Sequence, residues 1–193
     1  ACIRVARAKA AAAGADILVV GELAVAGYPP EDLVLKGSFQ DRVEKAVWAL
    51  AAETAVGGPA VLLGTPWNED DGLYNAVLLL ADGGITAATR KYDLPNYGVF
   101  DEKRVFAVGP LPKPIEFRGV KLGVMICEDM WTPATAASLA EGGADLLLVV
   151  NGSPFEFDKT DVRLDLARAR IRETGLPLAY VNLVGGQDEL VFD

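Results

Sequence analysis

Apolar residues along this chain fall into two patterns, short continuous runs and longer stretches in which they recur every three or four positions. The continuous runs are "ADILVVGE" from Ala15, "AVLLGTPW" from Ala60, "LYNAVLLLADGGITAATRK" from Leu73, "VKLGVMIC" from Val120, "GGADLLLVVNGS" from Gly142 and "LAYVNLV" from Leu178. Runs this short, bounded by Gly, Pro and acids, predict strands, the first and fifth of them buried and the last ending the series. The third turns back on itself at Asp82-Gly83-Gly84, which predicts a hairpin. The periodic stretches predict helices. Ile3 to Ala13 is rich in Ala, Arg and Lys and stops at Gly14, while Ser38 to Ala55 sets Phe39, Val43, Val47 and Leu50 on one face. Ser38 and Asp41 have the spacing of a capping box for that second helix. Thr132 and Pro133 supply an N-cap and a first helical residue for a helix to Glu141, and Asp161 to Glu173 closes on Gly175 and Pro177.

Strands alternate with helices, so the fold class is α/β. The order helix, Gly-Ala-Asp, apolar strand occurs at Gly14 and again at Gly143, an echo of two αβ units too short to be a repeat. With no linker or low-complexity tract, residues 1–193 read as one domain. Three reactive groups then fall at predicted strand ends: Glu22 after Val20, Lys91 after the Ile85 to Thr89 strand, and Cys127 after Ile126. Open α/β sheets bind ligands outside the carboxyl ends of their strands, so groups distant in sequence can meet there.

Composition narrows the chemistry. The 193 residues carry a net charge of -9 and no basic stripe, which excludes nucleic acid as a partner. Asp16 breaks the N-terminal apolar run, and no uninterrupted stretch reaches the ~20 residues that cross a bilayer, so neither a signal peptide nor a membrane span is expected. Two cysteines build no disulfide framework, which points to a reducing, cytoplasmic setting. There is no histidine. Ser-His-Asp and Cys-His catalysis and histidine-ligated zinc are thereby excluded, no metal is expected, and a nucleophilic Cys127 needs Asp, Glu or Lys as its base. Taken singly, each candidate also has a plain reading: Cys127 beside Met125 and Ile126 as a core hydrophobe, Glu22 as a loop acid, Lys91 beside Arg90 as a solvated charge. Together they form a minimal set, a nucleophile, a base and an oxyanion donor.

"GELAVAGYPPEDLV", "RKYDLPNYGVFDEKRVF", "GVMICEDMW" and "VNLVGGQDELVFD" closely resemble the nitrilase-type glutaminase domain of glutamine-dependent NAD synthetases, in order and over nearly the whole chain. The resemblance implies that Glu22 is the general base, that Lys91 stabilises an oxyanion together with the backbone N–H of Glu128, and that Cys127 forms a glutamyl thioester. It matches Glu102 to the family's second acid, and Tyr28, Tyr97, Phe100, Trp131 and Ser153 to the glutamine pocket. A lysine between carboxylates should stay charged, and a thiol near it should gain thiolate character. The implied fold is a nitrilase-like four-layer α-β-β-α sandwich, with truncation expected at both ends. The chain begins inside the first helix, without the strand expected before it, and carries no "SGGxDS" phosphate loop, so a fragment of a larger enzyme is expected. No cofactor is implied for this domain, whereas ATP, Mg and deamido-NAD are implied for a separate synthetase domain. The expected partners are glutamine, that synthetase domain and further copies of the chain in a homo-oligomer. Gly21 stands where the family usually carries proline, and Tyr92 where histidine commonly follows the lysine; neither removes a catalytic group. A stand-alone amidase or nitrilase acting on another small amide, and a non-catalytic scaffold subunit, remain as alternatives.

Overall fold

The computed structural model describes all residues, 1–193. In chain order its elements are α1 (Cys2–Ala12), β1 (Ile17–Val19), α2 (Gly37–Ala52), β2 (Ala60–Glu69), β3 (Gly72–Ala81), β4 (Gly84–Arg90), α3 (Glu102–Val105), β5 (Ile115–Phe117) and β6 (Val120–Ile126). They continue with α4 (Pro133–Glu141), β7 (Leu146–Val150), α5 (Lys159–Thr174), β8 (Leu178–Val181), β9 (Gly185–Gln187) and β10 (Leu190–Phe192). The strands form two four-stranded sheets, β1-β2-β3-β4 and β5-β6-β7-β8, beside a small β9-β10 hairpin.

The continuous apolar runs take both faces of each sheet. Leu62, Val77 and Leu79 of the first sheet meet Val124, Ile126, Leu148 and Val150 of the second in one buried cluster. The alternate residues Val61, Leu63, Leu78 and Leu80 pack instead on Val43, Val47 and Leu50 of α2. On the far side, Met125, Leu147 and Val149 pack on Ala136 and Leu139 of α4 and Ala167 of α5. A strand buried on both faces has no polar side to show, which is why these runs do not alternate in sequence. The result is the expected α-β-β-α order of layers.

Several elements differ from the sequence reading. Ile17, Leu18 and Val19 are only half-buried, because β1 is an edge strand. Helix α2 begins at Gly37 with Lys36 as its cap, so Ser38 lies inside the helix and the capping box is not formed. Beyond Ala52 it tightens into a 3-10 turn, Glu53–Val56. Strands β5, β9 and β10 and the short helix α3 carry no apolar run long enough to announce them; β9 is Gly-Gly-Gln. The hairpin at Asp82-Gly83 is where it was expected, with both residues at positive φ, +51° and +85°.

Strand direction sets up the site. β1 runs parallel to β2, and β2, β3 and β4 are successively antiparallel, so β1 and β4 end on the same side of the first sheet. β6, β7 and β8 are mutually parallel and end together in the second.

Candidate active site

Glu22 is carried past the end of β1 onto the other sheet. Its amide donates to the Asn151 carbonyl at 3.1 Å, and Gly152 N–H donates to Glu22 Oε2 at 2.8 Å, so the acid is docked on the residues that follow β7. This path requires a glycine in the neighbouring strand. A Cβ on Gly64 would lie 2.3 Å from Gly21 O, 2.8 Å from Leu23 N and 2.9 Å from Glu22 Cα, all backbone atoms.

Lys91 follows β4, where its amide donates to Asn75 O at 2.8 Å and its carbonyl accepts Gly109 N–H at 2.8 Å. With its backbone held on both sides, the fully buried side chain bridges two carboxylates: Nζ lies 2.7 Å from Glu22 Oε1 and 2.8 Å from Glu102 Oε1. Burial pulls the ammonium's pKa down, but Glu102 and Glu22 more than offset it and the group is held charged, well above its ordinary value. Burial pushes the Glu102 carboxyl up, and Lys91 works against that. Tyr28 donates its hydroxyl to Glu102 Oε1 at 2.8 Å. Asn75 Nδ2 joins the two acids, donating to Glu22 Oε1 at 2.8 Å and to Glu102 Oε2 at 3.3 Å.

Cys127 leaves β6 at φ +47° and opens a 3-10 turn, Cys127–Met130. A non-glycine residue held there stores about 1–3 kcal/mol, and such positions cluster at functional sites. The thiol is buried. Burial and the charge of Glu22 push its pKa well above the ordinary value, and the opposing pull of Lys91 does not compensate. Lys91 thus pulls toward the expected thiolate, and burial with the nearby acids outweighs it.

The matched pocket residues divide into three groups. Tyr97, Phe100, Glu128 and Trp131 line one open depression, shared with Glu156, Phe157, Asp158 and Lys159 from the segment before α5 and its start. Tyr97 donates its hydroxyl to Glu128 at 2.9 Å, and its ring stands edge-on to Phe100 at 5.4 Å. Tyr28 and Glu102 lie in a separate cleft behind Phe100. Ser153 is buried, and its backbone exchanges hydrogen bonds with the Asn182 side chain, both at 2.9 Å. Sequence reasoning missed Asn75 and Lys159. Asn75 did leave a signal, a lone amide inside the apolar run "LYNAVLLL", whereas nothing around Lys159 set it apart from a surface lysine. No group of three or more His, Cys, Asp or Glu side chains is arranged to hold a metal ion, and no helix is long and apolar enough to cross a membrane.

Residues 3–192 match the model of one enzyme family, carbon-nitrogen hydrolase. The chain belongs to the carbon-nitrogen hydrolases. Among its relatives, it is 47% identical over 182 residues to the glutamine-dependent NAD(+) synthetase of Rhodobacter capsulatus, covering 94% of this chain and 33% of that protein. The glutamine-dependent NAD+ synthetase of Acinetobacter baumannii, solved in complex with ADP, superimposes with a TM-score of 0.91 at 37% identity, over all of this chain and 36% of that one. A variant of an amidase from a Nesterenkonia species, solved with the acetamide moiety of fluoroacetamide covalently added at its active-site cysteine, superimposes with a TM-score of 0.86 at 30% identity, over all of this chain and 72% of that one. The chain thus spans about a third of the length of the synthetases it matches.

Proposed function

We propose that this chain is the glutamine-hydrolysing part of a glutamine-dependent NAD synthetase. The observation that carries the reading is the Glu22–Lys91–Glu102 bridge, at 2.7 and 2.8 Å, in a site whose strand ends also present Cys127. Glu22 takes the thiol proton as the sulfur attacks the glutamine carboxamide carbon. The oxyanion that forms faces the Lys91 ammonium and the Glu128 backbone N–H, donors fixed before the reaction begins. Glu22 returns the proton to the amide nitrogen, the C–N bond breaks and ammonia leaves. Water, deprotonated by Glu22, then attacks the glutamyl thioester and releases glutamate and the thiol. In the depression, Glu128, Glu156 and Asp158 outnumber Lys159, which is itself ion-paired with Glu156, so the lining suits the ammonium of a free amino acid better than its carboxylate. The ammonia serves amidation of deamido-NAD with ATP and Mg, a step assigned to the remaining two-thirds of such a synthetase.

The test measures ammonia from glutamine beside a panel of small amides. Cys127→Ala is expected to abolish release, and Cys2→Ala, at an exposed position, to leave it intact. Glutamine turnover by Cys127→Ala would overturn the nucleophile. Faster release from acetamide than from glutamine would make the chain a stand-alone amidase.

A further inference from the structure

We infer that Asp129 is a positioning residue which holds the backbone carrying Lys91 in register with the turn carrying Cys127. Its side chain is fully buried and its hydrogen bonds all go to main-chain amides. Oδ1 accepts from Tyr92 N at 3.1 Å and Asp93 N at 2.8 Å, and Oδ2 accepts from Ile126 N at 2.9 Å. Tyr92 directly follows the lysine, and Ile126 directly precedes the cysteine. One carboxylate therefore ties the end of β4, in the first sheet, to the end of β6, in the second. A further tie runs alongside it: Thr132 donates its hydroxyl to Asp93 Oδ2 at 2.7 Å.

The choice of aspartate follows from the donors. Three N–H groups converge on two oxygens, and only an ionised carboxylate accepts on both sides. Burial pushes this carboxyl up to about 7, and the amides of Asp93 and Ile126, the charge of Lys91 and the amide of Tyr92 oppose that shift. An asparagine would turn its NH2 toward either Ile126 or the Tyr92-Asp93 pair, leaving donor against donor in a buried site. The strand ends would then be free to slide, and displacements of about 1 Å between reacting groups can cost ~10²-fold in rate.

The effect on turnover rests on the proposed glutaminase reading, so the experiment also measures the thiol directly. In the 193-residue chain, iodoacetamide labelling of Cys127 is followed by peptide mass spectrometry, with the exposed Cys2 of the same molecule as internal reference. Asp129→Asn is expected to lower the Cys127:Cys2 labelling ratio about tenfold, and to lower kcat for glutamine up to about 10²-fold with KM changed less than about threefold. General loosening of the fold acts in the opposite direction, because exposing the buried thiol raises the ratio. A ratio unchanged or raised in folded Asp129→Asn protein overturns the inference. Should that variant fail to fold, Thr132→Val replaces it, with a ratio reduced severalfold expected and an unchanged ratio overturning the inference. Absence of glutamine turnover in the unsubstituted chain would sink the glutaminase reading alone, since the labelling ratio still decides the role of Asp129.

Discussion

Lys91 is the only cation hydrogen-bonded to the two buried acids Glu22 and Glu102, so its loss reaches further than a missing oxyanion donor. Lys91→Met leaves both carboxylates without their counter-charge. Breaking a buried pair from one side costs about 3–5 kcal/mol, so stability as well as turnover is expected to fall. The sign with pH follows from Glu102. Burial already raises its pKa, and removing the opposing pull of Lys91 raises it further in the folded state. A carboxyl whose folded pKa lies above its unfolded value of about 4.3 binds its proton more tightly when folded, so it destabilises increasingly as pH rises through that window. Urea denaturation of Lys91→Met at pH 5 and pH 8 should therefore show the smaller deficit at pH 5. An equal deficit at both values would mean that Glu102 does not titrate there. The cluster also shows where single-residue reading stopped. Glu22, Lys91 and Cys127 were legible as residue types at strand ends, whereas the Asn75 bridge and the Asp129 tie exist only once β3 and β4 are paired and β6 of the other sheet packs across from them.

Among the elements, β2 is constrained less by its apolar residues than by Gly64. The chain that delivers Glu22 crosses this strand with backbone atoms 2.3–2.9 Å from where a Cβ would stand, and backbone yields less readily than a flexible side chain. Gly64→Ala is expected to cost about 1–3 kcal/mol as overpacking. Turnover of the protein that still folds should fall more than about tenfold, because Glu22 is pushed off Gly152 and Lys91. Gly37→Ala is the control: it opens α2, a Cβ there meets nothing within 4 Å, and the change should stay within about 0.5 kcal/mol. Thermal melts and ammonia release on both variants test the contrast. A Gly64→Ala enzyme with normal turnover would show that Glu22 does not depend on this crossing. Long apolar strands and the Asp82-Gly83 turn were readable because burial and positive φ each demand particular residue types. The capping box on Ser38 does not form because the helix caps two residues earlier, at Lys36, and the Ser-Asp spacing falls inside it by chance.

In the whole molecule, the site belongs to neither sheet. Glu22, Lys91 and Glu102 come from the first sheet and the segments after its strands, and Cys127 from the second, with the cluster around Leu62, Leu79, Val124 and Ile126 holding the two face to face. Leu79→Ala, inside that cluster and almost fully buried, should cost about 2–5 kcal/mol. Loss of ammonia release and loss of secondary structure in urea should remain one coincident transition, because Glu22 and Lys91 are brought to the Cys127 turn only while the sheets are apposed. Activity vanishing well before the circular dichroism signal would show that the strand-end loops open on their own. The sequence by itself determined the α/β class and put forward Glu22, Lys91 and Cys127 as candidates at strand ends. Apolar runs of strand length need cover on two sides, helical spacing provides it, and without histidine a Glu-Lys-Cys set is a sufficient nucleophile, base and oxyanion donor. Only the tertiary structure decided that Lys91 is bridged by two acids, that burial raises the Cys127 thiol's pKa, and that Asn75 and Gly64 lie against Glu22 while Asp129 ties the backbone beside Lys91 to that before Cys127. Each of these depends on distances across strands far apart in sequence, and on burial, which sets the strength of a charge only after the sheets have closed.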